Sequence, residues 1–147
     1  MLIWIARACF IVAALLSVRS AVNIWGHAGG ADNFLTGLIA AVGAENADGF
    51  TVSHARLHFG REALLAFGAV IGSALILFSP ASARNGFSWA VLAVLLAAQT
   101  GGHWLSALHT GADPTPSATA LQNHVGNAAF AALTLAFSAA PFFARRR

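Results

Sequence analysis

The sequence predicts an all-α integral membrane protein, a four-helix up-down-up-down bundle forming one domain over residues 1–147. Three observations predict it. Hydrophobic residues fill 58% of the chain and charged residues 9%, with a mean hydropathy of +0.71; a soluble domain carries about 25% charged residues. Four apolar stretches, near 2–25, 59–79, 87–108 and 120–142, each approach the roughly 20 residues that cross the hydrocarbon layer as a helix. All five acidic residues and all six histidines fall on one side of the membrane so defined, and Arg7, Arg84, Arg145, Arg146 and Arg147 on the other.

The first stretch has the short apolar run from Cys9 to Val18 and the small residues Ser17, Ser20 and Ala21, as a cleaved signal peptide would. No basic residue precedes its first apolar residues, and it reads as a retained helix. A long connection follows, near 26–57. Within it, the segment from Phe34 to Gly43 is apolar but too short to span. Asp32 and Asn33 precede that segment as N-cap residues would. It reads as a short interfacial helix or as a cap over the outer mouth of the bundle.

The second stretch carries Gly68-Ala69-Val70-Ile71-Gly72, a GxxxG pattern that lets a neighbouring helix approach closely. Packing inside the chain and a homodimer seam are both open readings. Pro80 and Arg84 sit in the short link to the third stretch, which suits a tight turn between antiparallel helices. Gly111, Pro114 and Pro116 break the chain before the fourth.

Orientation follows from the arginines. Cytoplasmic loops are enriched in Arg and Lys, so both termini are expected inside, in a bacterial inner membrane, with the long loop outside. Trp4 and Trp89 would mark the inner interface, Trp25 and Trp104 the outer one. The pI near 11.2 comes from arginine alone. The terminal triplet suits anionic lipid heads, and nucleic acid is not an expected partner. The single cysteine, Cys9, excludes a disulfide or a Cys-based metal site within one chain.

A polar layer near the outer ends of the helices is the candidate site. His54, His58 and Glu62 are spaced i, i+4, i+8 and share a face if the second helix starts early enough. Gln99, His103, Ser106 and Thr110 form one stripe; Asn123 and Asn127 lie one turn apart; Arg19 and Asn23 are at i, i+4. Arg19, Glu62, His103 and His124 lie at similar depth and are expected to meet. An intramembrane ionisable group is costly and usually has a partner.

Three readings of the layer stay open. It can be structural, with Glu62 paired to Arg19 or Arg61, and with His103 and His124 bonded to Gln99 or Asn127. It can hold a divalent metal on His58, Glu62, His103 and His124, since two histidines and a carboxylate are a common first shell; Arg19 and Arg61 count against a cation. It can bind haem between His103 and His124, with Gly101, Gly102, Gly126, Ala128 and Ala129 leaving room, or hold the head of a quinone or lipid. No serine or cysteine nucleophile signature and no phosphate-binding glycine loop appears. In a lipid-acting enzyme, a more distant reading, Glu62 or His103 would be the general base.

Arg56 shortly before Gly60, the glycine-bearing segment from Gly60 to Gly72, and Gly111-Ala112-Asp113-Pro114 carry a resemblance over about Arg56 to Ser138. In these, the chain resembles small DoxX-like four-helix integral membrane proteins and their uncharacterised relatives. The resemblance implies a four-helix bundle and, for some members, association with a redox partner. The histidines lie outside the resembling pattern. At 15.1 kDa there is little room for a separate catalytic domain. The expected function is a non-catalytic accessory or assembly subunit of a larger membrane complex. Its partners would be the lipid bilayer and other membrane subunits or a second copy. A metal- or haem-binding redox protein is the alternative.

Overall fold

The computed structural model describes residues 1–29, 52–110 and 118–144; the side chains of 23–29, 52–60, His103, Ser106, Ala107, His109, Thr110, Thr119 and Ala120 are not among them. The described residues are all-helical, with four long α-helices and no strand. The helices are α1 (Leu2–Gly29), α2 (Val52–Leu77), α3 (Gly86–Thr110) and α4 (Ala118–Phe143), and a 3-10 turn, Ala81–Ala83, joins α2 to α3. α1, α3 and α4 contain the stretches expected of them, and α2 ends at Leu77, two residues short of the expected 79. α2 starts seven residues before the expected position 59, because helical backbone continues through 52–58 although that segment is not apolar. The apolar segment 34–43, the loop 111–116 and the arginine triplet 145–147 lie outside the described residues.

Local chemistry sets the helix ends. Pro80 follows α2 and cannot donate to a helical ladder; the last turn closes through Phe78 N–H to Ala74 O at 2.9 Å and Ser79 N–H to Ile76 O at 3.2 Å. Arg84 donates from Nη2 to Ser79 O at 2.7 Å and ties the link down. α3 begins on a reciprocal cap. Ser88 N–H donates to Asn85 Oδ1, and Asn85 N–H donates to Ser88 Oγ, each at 2.9 Å. This satisfies two N–H groups that would otherwise be orphaned at the helix start.

The chain divides into two compact units, residues 1–17 with 69–147 and residues 18–68. In the first, Ala6 and Phe10 of α1, Leu77 of α2, Leu92 and Leu96 of α3, and Ala131 and Phe142 of α4 form one buried cluster. α3 and α4 run antiparallel there. Trp89, in the first turn of α3, donates to Ser138 Oγ at 3.2 Å near the end of α4, and Phe143 packs on Trp89 with ring centroids 5.4 Å apart. The second unit has its own small cluster, Ala21 and Ala63, with Ala66 and Phe67 against it.

Beside the apolar core, small hydroxyl residues are buried and large apolar side chains are exposed. Ser73, Thr134 and Ser138 are 0% exposed, whereas Phe87 is 79% and Leu75 71% exposed. The buried positions are spaced alternately by three and four residues: Ala6, Phe10, Ala13, Ser17 on α1, and Asn127, Ala131, Thr134, Ser138 on α4. That spacing is the seam of helices packed at a shallow crossing angle. Small residues along such a seam let backbones approach, and their hydroxyls bond to their own helix: Thr134 Oγ1–H donates to Phe130 O at 2.7 Å and Thr100 Oγ1–H to Leu96 O at 2.8 Å. Two helices contain segments long and apolar enough to cross a membrane, Leu2–Val22 and Leu121–Phe143, and Gly86–Gly102 on α3 is a shorter apolar segment.

Candidate functional site

Within the first unit, α3 and α4 each bring a polar side chain to Ser17 of α1. Ser17 is on the buried seam of α1, 4% exposed. Its Oγ accepts a hydrogen bond from Gln99 Nε2 of α3 and another from Asn127 Nδ2 of α4 at 2.7 Å. One turn earlier on α4, Asn123 donates from Nδ2 to the backbone carbonyl of Leu16 at 3.4 Å. Gly126, between the two asparagines, lets Leu16 lie against the helix; a Cβ there would meet Leu16 Cδ1 at 3.3 Å.

The node has more hydrogen-bonding capacity than it uses. Gln99 Oε1, Asn123 Oδ1 and Asn127 Oδ1 are all buried without a partner. Each unmet buried polar group costs about 1–3 kcal/mol. Asn127 is itself buried, while Gln99 and Asn123 are half-buried.

The residues singled out in the sequence fall as follows. Gln99, Asn123 and Asn127 are brought together, by Ser17 and its neighbour Leu16. Ser17 is not among the expected site residues. Its signal is nonetheless in the sequence, since it continues the spacing of Ala6, Phe10 and Ala13. Arg19 lies on another face of the same helix and is exposed. Arg61 and Glu62 are exposed as well. Ala63 is the buried position on that turn, and one residue along a helix turns a side chain by about 100°.

His54, His58 and Glu62 do lie on one continuous helix, as their spacing required. The side chains of His54, His58, His103 and His109 are outside the described residues, and so is that of His27. His124 is half-buried. Among the described residues, no group of three His, Cys, Asp or Glu side chains comes together as a metal site would require. Positions 103 and 124 are nevertheless level on their helices. Trp89 pairs with Ser138, and Gln99 meets Asn127 through Ser17. One further turn of that antiparallel register brings position 103 level with Asn123 and His124. The small residues expected to leave room for haem divide: Gly101 and Gly102 have nothing within 4 Å of a Cβ, while Gly126 is taken up by Leu16.

Comparison with protein-family models, with curated proteins and with solved structures finds no match to this chain.

Proposed function

We propose that the chain is an integral membrane four-helix bundle, with both termini on the cytoplasmic side, serving as a non-catalytic accessory subunit of a larger membrane complex. The observation that carries this reading is on the outward face of α3. There Ala90, Val94, Ala98 and Gly102 follow one another at four-residue spacing, and all four are exposed. Gly102 has nothing within 4 Å of a Cβ. A glycine inside a helix costs about 1 kcal/mol relative to alanine. Among the described residues its own chain makes no use of the space it leaves, and small residues four apart are where another membrane helix approaches. The four-span bundle itself is supported by the apolar exterior and by the small, hydroxyl-bearing seams. The clustering of Arg7 with Trp4 and Phe78 supports an inner interface at that end. The DoxX-like resemblance, which implies a redox partner for some members, accords with it.

Extraction in mild detergent tests the reading. The chain should co-purify with a partner at fixed stoichiometry, and Ala98→Phe with Gly102→Phe should release it while the chain stays folded. A monodisperse, stable chain without a partner would overturn it.

The level placement of positions 103 and 124 favours a second reading, haem or a metal held from α3 and α4. Purified protein would then show a Soret band, or about one metal per chain. Either should be lost in His103→Ala and His124→Ala and kept in His27→Ala.

A further inference from the structure

The polar node at Ser17 is a site with an unmet requirement, and hydrogen-bond counting says of what kind. A serine hydroxyl has one proton to give. It can therefore donate to the carbonyl of only one of its two amide neighbours, and the other amide must approach with an N–H, as Gln99 and Asn127 both do here. Asn123 faces a backbone carbonyl, which only accepts, so its N–H must point to Leu16 O and its own oxygen away. Whichever way round the amides of Gln99 and Asn127 lie, at least two buried side-chain carbonyl oxygens have no donor; in the structure there are three, Gln99 Oε1, Asn123 Oδ1 and Asn127 Oδ1.

Unpaired acceptors select donors and repel anions. The groups that form the node are neutral, with no carboxylate among them to offset the desolvation of a cation. Three carbonyls and one hydroxyl also fall short of the six or more oxygens that hard cations take. The remaining class is an uncharged donor. Two or three free acceptors match a molecule with two O–H groups better than one with a single O–H. Gln99 and Asn123 are half-buried and Asn127 is buried, and the free oxygens of all three are buried.

We propose that Ser17, Gln99, Asn123 and Asn127 form a binding site for an uncharged molecule offering a pair of hydroxyl donors, either water or the diol head of a glycerolipid. In both cases two O–H groups donate to the free amide oxygens, and an oxygen of the guest accepts from the amide N–H groups that Ser17 does not use. Ordered water making about three hydrogen bonds is the usual occupant of such places.

The test uses the full chain in lipid nanodiscs, labelled with nitrogen-15, and reads cross-relaxation between water and the side-chain amides of Gln99, Asn123 and Asn127. Monoolein, a monoacylglycerol, is the diol probe. Long-lived water at Asn127 that persists when monoolein is added assigns the site to water. Saturable shifts of the three amides with monoolein, and loss of the water signal, assign it to the diol head. No long-lived water and no shift would overturn the proposal. A second measurement uses Asn127→Leu. If the node holds a guest, this variant melts at a lower temperature and loses the water signal. The variant also loses the Asn127 hydrogen bond to Ser17, so a lower melting temperature counts only together with loss of the water signal, and an unchanged or raised melting temperature would overturn the proposal. Co-purification does not enter either measurement, so failure of the accessory reading leaves this one standing, and the reverse.

Discussion

Arg7 near the start of α1 donates its Nε–H to the backbone carbonyl of Leu77, the last residue of α2, at 3.2 Å. The carbonyls of a helix's last turn have no partner within the helix, and here a charged donor from another helix supplies one. The guanidinium also lies over two rings, 4.6 Å from the Trp4 centroid and 4.9 Å from that of Phe78. Planarity lets it do both at once, which an ammonium cannot match.

Arg7→Ala should therefore destabilise the chain by roughly 2–3 kcal/mol, combining a charge-assisted hydrogen bond with cation–π contacts. Arg7→Lys should recover less than half of that. Unfolding in mixed micelles of increasing denaturing detergent measures both. A loss under about 0.5 kcal/mol for Arg7→Ala would show that the contact is only incidental.

Ser73 offers a change of opposite sign. It is 0% exposed and its hydroxyl has no partner. Replacing a buried, unpaired hydroxyl by a hydrogen removes a desolvation cost and leaves almost no cavity. Ser73→Ala should be neutral or stabilising by up to about 1 kcal/mol in the same assay. Clear destabilisation would mean that the hydroxyl has a partner in the membrane.

The four helices were legible because apolar length and proline act locally. Pro80 ends its helix whatever the helix packs against. The node was half legible. Gln99, Asn123 and Asn127 stand out as polar residues in apolar stretches, but Ser17 is a small residue among alanines and gains its meaning only from the helices that meet it. Arg19 and Glu62 are both exposed, because depth along a helix and direction around it are separate quantities. The sequence carries depth plainly, while direction depends on which face is buried, and on α1 and α2 that face belongs to Ser17, Ala21 and Ala63.

The two glycines at positions 68 and 72 should respond differently. A Cβ at Gly72 would sit 3.1 Å from Leu95 Cδ1, while one at Gly68 would meet nothing within 4 Å. Gly72 thus has an internal packing role against α3, and Gly68 has none among the described residues. Gly68→Ala should stabilise by about 0.5–1 kcal/mol through helix propensity alone. Gly72→Ala should gain less, because the end of Leu95 must shift, and Gly72→Leu should cost about 1–3 kcal/mol through overpacking. Equal responses at both positions would contradict the difference. Loss of a partner on Gly68→Leu, with folding intact, would restore the intermolecular reading for that glycine.

Trp89 couples the start of α3 to the end of α4. Its indole N–H is shared between Leu135 O at 3.3 Å and Ser138 Oγ at 3.2 Å, and Ser138 also donates to Leu135 O at 3.1 Å. Trp89→Phe keeps most of the ring and removes the donor. Leu135 O still receives the Ser138 hydroxyl, so no carbonyl is orphaned and the cost should stay near about 1 kcal/mol. Trp89→Ala also empties the space beside Phe143 and should cost about 3–5 kcal/mol. In a double-mutant cycle with Ser138→Ala, Trp89→Phe should cost less once the serine hydroxyl is gone, because the indole has then already lost one of its two acceptors. Additivity within about 0.3 kcal/mol would mean that the three groups do not act together.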